Sequence, residues 1–192
     1  MIKAVIFDCF GVLAQPARTL LYRDYPQFNN EIDDLEHQNH LGMIDRNEFE
    51  NAIAKLVGLT PEQVKSRYYD ISVKDKSAVA LVRQVKKMNR YKVGLLSNVG
   101  PDRIGDVLPM TDLRELFDEV TLSFQVGMVK PEVAIFDLMA QRMGVATNEC
   151  IMIDDRESNL EGAQNAGMQT IRFISSDQVA GELLSMLERG GA

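Results

Sequence analysis

The chain has 192 residues, of which 45% are hydrophobic and 26% are charged, as is ordinary for a soluble globular protein with one domain and a small insertion. Its net charge of -7 argues against a nucleic-acid partner, and no apolar run approaches the ~20 residues of a membrane span. The start, MIKAVIFDCF, lacks a signal-peptide pattern, and Cys9 and Cys150 lack zinc-ligand spacing. We therefore expect a cytoplasmic protein without membrane or nucleic-acid partners.

Short apolar runs predict five strands that alternate with helices. The predicted strands are Ala4–Phe7, Lys92–Leu96, Glu119–Leu122, Cys150–Ile153 and Gln169–Phe173. Apolar residues at three- and four-residue spacing predict helices at Ser77–Asn89, Val133–Met143 and Leu160–Ala166. Because strands that alternate with helices form parallel sheets covered on both faces, the pattern predicts a three-layer α/β/α core.

The region from Pro16 to Asp75 breaks this alternation. It contains no convincing strand, but RNEFENAIAKLVGL and TPEQVKSRYYDI have helical patterns, and Thr60 followed by Pro61 is a good helix start. We therefore predict an α-helical insertion of residues 16–75, with residues 1–15 and 76–192 forming the α/β core domain.

Polar or charged residues directly follow the first, second and fourth predicted strands, in the stretches AVIFDCFGVL, VGLLSNVG and CIMIDDRESN. After the third strand, a lysine precedes the next predicted helix, in the stretch VGMVKPEVAIF. These residues are Asp8, Ser97, Asn98, Lys130, Asp154 and Asp155. Taken singly, each residue is compatible with a turn, a helix cap or a solvated surface. Because the carboxyl ends of parallel strands meet at one edge of the sheet, we expect these side chains to converge. Three carboxylates in one crevice repel each other unless a cation lies among them, and oxygen ligands suit Mg²⁺.

This ordered set of motifs resembles the haloacid dehalogenase-like hydrolase (HAD) superfamily over about residues 1–175. The resemblance implies a Rossmann-like core and identifies the insertion as a small helical cap that closes over the crevice. It implies Asp8 as the nucleophile, Ser97 and Lys130 as further catalytic residues, and a small phosphorylated molecule as the substrate. Substrate-binding residues would be Ser97, Asn98 and Lys130. The implied cofactor is Mg²⁺, held by Asp8, the backbone carbonyl of Phe10, Asp154 and Asp155.

Phe10 departs from the pattern of the family's phosphatases, which usually have a second aspartate two residues after the nucleophile. Phenylalanine can neither protonate a leaving oxygen nor activate water, so acyl, aryl and anomeric sugar phosphates are the substrates that best tolerate it. DCFGVL is similar to the D-x-Y-G-T-L of the dehalogenases proper, but those place serine and asparagine where this chain has Asp154 and Asp155. We therefore expect a Mg²⁺-dependent phosphatase with an aspartyl-phosphate on Asp8. The alternatives are a metal-binding regulatory protein without turnover and a 2-haloacid dehalogenase-type hydrolase.

Further candidates lie in the insertion and after the last motif. Candidate substrate contacts are Arg18, Tyr22 and a polar turn, HQNHLGMID, with His37, His40 and Gly42. Taken singly, each of them is more often a solvated surface residue than a substrate contact. Asn159, four residues after Asp155, lies where the family often has a supporting acid or amide. The oligomeric state leaves no mark in the sequence.

Overall fold

A computed structural model describes residues 1–15, 19–69 and 73–189. It contains a five-stranded sheet whose strands are β1 (Ala4–Phe7), β2 (Lys92–Ser97), β3 (Glu119–Leu122), β4 (Cys150–Asp154) and β5 (Gln169–Arg172). Their order in the sheet is β3-β2-β1-β4-β5, and every pair of neighbouring strands is parallel. The five predicted strands are confirmed, with ends that differ by no more than one residue.

Helices cover both faces of the sheet. In β1, Val5 and Phe7 belong to one apolar cluster, whereas Ala4 and Ile6 belong to the other. The first cluster is covered by α5 (Lys76–Lys87), α6 (Met110–Leu116) and α10 (Ser176–Arg189). The second is covered by α8 (Val133–Arg142) and α9 (Glu157–Asn165), and a short helix, α7 (Ser123–Val126), follows β3. The predicted three-layer core is therefore confirmed.

Among the described helices of the core, the sequence did not predict α6, α7 and α10. The α10 sequence did carry a signal, since Val179, Leu183 and Leu187 recur every four residues and are buried against the sheet. α6 is short, and a short amphipathic stretch gives a weak periodicity. Helix α9 begins at Glu157 rather than at the predicted Leu160 because its first turn is polar and carries no apolar signal.

Among the described residues, four α-helices lie between β1 and α5: α1 (Thr19–Asp24), α2 (Asn29–His40), α3 (Arg46–Val57) and α4 (Pro61–Tyr68). We call them the inserted helices; they enclose an apolar cluster of their own that includes Leu21, Ile32, Phe49 and Val64. Capping boxes at Asp45 and Thr60 begin α3 and α4, the two helices that the sequence predicts. The sequence did not predict α1 and α2, and His37 and His40 lie in α2 rather than in a turn.

The inserted helices contact the core at the end of α2. The hydroxyl of Ser123 donates a hydrogen bond to the carbonyl of His40 over 2.7 Å. Gly42 has a φ of 72°, and a β-carbon there would lie 2.7 Å from the carbonyl oxygen of Phe124. Glycine is therefore the residue that this contact requires. Within the described part of the chain, none of the helices has the length and apolar character needed to cross a membrane.

Candidate active site

The residues that follow the strands converge at the carboxyl edge of the sheet, as the sequence predicts. Asp8 directly follows β1, whereas Ser97 and Asp154 are the last residues of its two neighbours, β2 and β4. Strands β2 and β3 lie on one side of β1, and β4 and β5 lie on the other, so the strand order reverses beside β1. Ligands bind at such a reversal in open α/β sheets. Oxygens of Asp8, Asp154 and Asp155 lie within 4.8 Å of one another.

Lys130 lies at the centre of this cluster, and its side chain is 1% exposed. Its ammonium group donates to Asp8 Oδ1 and to Asp154 Oδ2, each over 2.6 Å, and to the carbonyl of Leu96 over 3.0 Å. These three bonds use all three protons of the ammonium group. Burial lowers the pKa of Lys130, but the neighbouring carboxylates of Asp154 and Asp8 more than offset this and leave that pKa raised. The lysine therefore remains a fixed positive charge.

Asp8 is buried and surrounded by other charges. Burial raises its pKa, the ammonium group of Lys130 lowers it, and the carboxylate of Asp154 raises it again. The net result is a pKa of about 7. Burial and the charge of Asp154 also raise the pKa of Asp155. One lysine therefore does not compensate the negative charge of this cluster, which leaves it suited to bind a further cation.

Asp154 is completely buried and held in place on both oxygens. Its Oδ1 accepts from the backbone N–H of Arg156 over 2.9 Å and from Asn159 Nδ2 over 3.0 Å, while Oδ2 accepts from Lys130. The contact of Asn159 fits the supporting role that the resemblance implies.

Asn98 lines the cleft, but its amide holds the backbone of Lys130. Asn98 Nδ2 donates to the carbonyl of Lys130, and the N–H of Lys130 donates to Asn98 Oδ1, each over 2.8 Å. This pair of bonds fixes the loop from which the lysine side chain reaches the carboxylates. The side chain of Asn98 is thus a positioning group as well as a candidate substrate contact.

Two buried oxygens at the site, Ser97 Oγ and Asp155 Oδ1, have no hydrogen-bond partner among the described residues. Such groups are costly unless a ligand satisfies them. Asp155 packs against the backbone of Gly11, where a β-carbon would lie 2.3 Å from its Cγ, so that any larger residue would displace the carboxylate. Carboxylate oxygens held in this way fit Mg²⁺, and the serine hydroxyl fits an anionic oxygen.

A cleft of about 470 Å³ lies between this edge and the inserted helices. Of the candidates in the insertion, Tyr22 and His40 line it, whereas His37 and Gly42 are not among its described lining residues. Arg18 lies outside the described residues. Phe10 lines the cleft from the core side and is half-buried.

Sequence reasoning missed Asp33, Glu36 and Tyr68, which also line the cleft. The hydroxyl of Tyr68 donates to Glu36 Oε1 over 2.5 Å, and the hydroxyl of Tyr22 donates to Asp33. Burial and the charge of Glu36 raise the pKa of Tyr68 well above its usual value, so its hydroxyl stays a donor. The partners come from different helices, and no local spacing could have paired them.

Comparison with known proteins agrees with this geometry. A family model for haloacid dehalogenase-like hydrolases matches residues 2–167. A phosphorylated carbohydrates phosphatase from Thermotoga maritima is 25% identical over an alignment of 182 positions, which covers 88% of this chain and 83% of the relative. Drimenol cyclase drtB from Aspergillus calidoustus is 25% identical over an alignment of 205 positions, which covers 99% of this chain but only 38% of the cyclase's length.

A solved structure supports the same fold. It is a HAD family enzyme from Bacteroides thetaiotaomicron in complex with magnesium and inorganic phosphate. The two chains align with a TM-score of 0.73 and 23% identity, over 90% of this chain and 94% of that enzyme. Since the family model covers most of the sequence and the sheet carries the motif residues at its carboxyl edge, the chain belongs to the haloacid dehalogenase-like hydrolase family.

Proposed function

We propose that this protein is a Mg²⁺-dependent phosphatase of small phosphorylated metabolites, with Asp8 as the nucleophile. The observation that carries the proposal is the buried cluster of Asp8, Lys130 and Asp154, with the unpartnered oxygens of Ser97 and Asp155 beside it. The Thermotoga maritima relative, a phosphatase of phosphorylated carbohydrates, supports this substrate class.

We assign the metal to Asp8, Asp155 and the backbone carbonyl of Phe10, with Asp154 bound directly or through water. Both oxygens of Asp154 already accept hydrogen bonds, whereas Lys130 occupies only Oδ1 of Asp8, and Asp155 Oδ1 has no partner among the described residues. Bound Mg²⁺ would neutralise charge on the carboxylates and on the phosphoryl oxygens.

In the proposed reaction the carboxylate of Asp8 attacks phosphorus, the bond to the leaving oxygen breaks, and an aspartyl-phosphate forms. Lys130 neutralises charge on Asp8 and the phosphoryl group, and the hydroxyl of Ser97 donates to a phosphoryl oxygen. Water then hydrolyses the acyl phosphate and regenerates Asp8.

Phe10 restricts the substrates in this mechanism. Its ring faces the cleft two residues after the nucleophile, in place of the usual second aspartate, and has no proton to give to the leaving oxygen. The proposal therefore favours acyl, aryl and anomeric sugar phosphates, whose leaving groups need little protonation.

We also propose that residues 16–75 act as a cap domain over a core of residues 1–15 and 76–192. The inserted helices have their own apolar cluster, and the cleft lies between them and the catalytic edge. Closure of such a cap excludes water and adds contacts to the leaving group.

The test is hydrolysis of an aryl phosphate with Mg²⁺ and with EDTA, by the wild type, Asp8→Asn and Asp137→Asn. Asp137 is an exposed aspartate on α8 and controls for the substitution itself. We expect turnover that requires Mg²⁺, falls by about 10³-fold or more in Asp8→Asn, and is unchanged in Asp137→Asn. Thermal melts check that both variants fold.

Three outcomes contradict the proposal. Activity that survives in Asp8→Asn shows that Asp8 forms no covalent intermediate. Halide release from a 2-haloacid without metal, together with no phosphate release, favours the dehalogenase. Mg²⁺ binding without turnover of any phosphorylated metabolite in a panel favours a regulatory protein.

A further inference from the structure

Arg103 is a buried arginine in the wall of the cleft beside Phe10. It lies on the loop after β2 and is 6% exposed. Its guanidinium carbon lies 5.0 Å from the ring centroid of Phe10 and 4.7 Å from that of Tyr69. Its Nη1 lies 3.0 Å from Asp106 Oδ2. Two aromatic rings and a carboxylate therefore hold this cation at a fixed place in the wall.

The guanidinium of Arg103 lies beside Phe10, a residue that cannot protonate a leaving oxygen. In phosphoryl transfer the leaving oxygen gains negative charge in the transition state, and a carboxylic acid at position 10 would relieve that charge by protonation. A guanidinium has no acidic proton to transfer at neutral pH, but it keeps its positive charge whatever its partners are. A fixed positive charge in a buried wall stabilises a developing oxyanion without reorganisation.

We propose that Arg103 determines leaving-group specificity by stabilising the charge on the departing oxygen, in place of a general acid. This inference rests on the proposed phosphatase function. The bond between phosphorus and the leaving oxygen breaks with its electron pair on that oxygen, and water supplies the proton once the oxygen has left phosphorus. The enzyme then accepts poorer leaving groups than a site with Phe10 alone would.

The experiment measures kcat/KM for a series of aryl and alkyl phosphates whose leaving groups differ in pKa. The proteins are the wild type, Arg103→Met, Arg103→Lys and Arg46→Met. Arg46 is the matched control, because it contacts two of the same groups as Arg103. Its guanidinium carbon lies 4.1 Å from the ring centroid of Tyr69, and its Nη1 lies 3.1 Å from Asp106 Oδ2. It is not among the described residues that line the cleft.

We expect Arg103→Met to lower kcat/KM by about 10²-fold for alkyl phosphates and by less than about 10-fold for aryl phosphates. Its plot of log kcat/KM against leaving-group pKa is then steeper than that of the wild type. Arg103→Lys keeps the charge and should have an intermediate slope. Arg46→Met should keep the slope of the wild type, even where its melting temperature falls.

An equal loss for all leaving groups in Arg103→Met would overturn the inference, since it would show that Arg103 only supports Phe10 and Tyr69. If Arg103→Met does not fold, Arg103→Gln replaces it, since glutamine also removes the charge, and a slope equal to that of the wild type then overturns the inference. If the wild type hydrolyses the series and Arg103→Met has the same slope as the wild type, this inference alone is overturned and the proposed function stands. If the wild type hydrolyses none of the aryl and alkyl phosphates, the proposed function and this inference are both overturned.

Discussion

The two walls of the cleft are built in different ways. The core wall contains side chains at the carboxyl ends of parallel strands, so the topology of the sheet alone brings Asp8, Ser97 and Asp154 together. The opposite wall consists of residues from separate helices, such as Glu36 and Tyr68, which meet only because the inserted helices pack on one another. Such a division lets one catalytic edge serve many substrates, since the opposite wall can vary without disturbing it.

The walls also differ in charge. In the core wall an almost fully buried ammonium group bonds two carboxylates, whereas in the opposite wall the described pairs join a tyrosine hydroxyl to a carboxylate. If the comparison is right, changes in the core wall alter turnover and stability strongly. Changes where the inserted helices contact the core should alter mainly the binding of substrate.

The largest effect is expected for Lys130→Met, which keeps the length of the side chain and removes its charge. Asp8 and Asp154 would then be buried without their cation, and breaking a buried ion pair in this way costs about 3–5 kcal/mol. Urea unfolding in EDTA measures the loss in free energy of unfolding. Because lower pH protonates the stranded carboxylates, the loss should be smaller in acid than at neutral pH.

The matched control is Lys86→Met. Lys86 pairs with Asp118 on the surface, where the two side chains are 32% and 42% exposed. An exposed pair contributes only about 0–1 kcal/mol, so this variant should stay close to the wild type. Equal losses in the two lysine variants would show that the buried cluster has no special energetic role.

A smaller effect is expected from the titration of Asp8 itself. Its pKa rises from 3.8 in a model peptide to about 7 in the metal-free fold, mainly through burial. Between those two values the folded protein binds the proton more tightly than the unfolded chain, and the stabilisation is lost as pH rises through about 7. In EDTA, the stability of the wild type should therefore fall relative to that of Asp8→Asn as pH rises through this window.

Urea midpoints of the two proteins at several pH values measure this difference, and subtraction removes the contribution of other carboxylates that titrate alike in both. Added Mg²⁺ should diminish the pH dependence, because a bound cation favours the ionised carboxylate. A difference between wild type and Asp8→Asn that stays constant with pH would show that burial does not raise the pKa of Asp8.

The core wall could be predicted because strand ends are visible in the sequence. An apolar run that stops at Asp8, or at Asp154, marks both a strand and the edge of the sheet at which it ends. The resemblance to the haloacid dehalogenase-like hydrolases then implied a role for each of these residues. Nothing in the sequence, however, shows that the amide of Asn98 bonds the backbone of Lys130, because that pair joins loops 32 residues apart.

The opposite wall could not be predicted for a physical reason. Its helix α2 has a weakly apolar sequence, NNEIDDLEHQNH, in which Ile32 is buried while polar Glu36 and Asn39 are buried as well. Periodicity of apolar residues is faint in such a helix, and the burial of its polar residues arises from contacts with other elements. Arg103 was missed for the same reason, since the aromatic rings that contact it belong to Phe10, in the loop after β1, and to Tyr69, at the end of α4.

The smallest effect is expected where the inserted helices contact the core, in Gly42→Ala compared with Gly58→Ala. Both glycines have left-handed backbone, with φ of 72° and 74°, so alanine pays the same conformational penalty at each. Only at Gly42 would the new β-carbon meet another element, the carbonyl of Phe124 at 2.7 Å, whereas Gly58 has nothing within 4 Å. Gly42→Ala should lose about 1 kcal/mol more free energy of unfolding and raise KM, with kcat for aryl phosphates almost unchanged. Equal stability and equal KM in the two variants would mean that this contact does not position the opposite wall of the cleft.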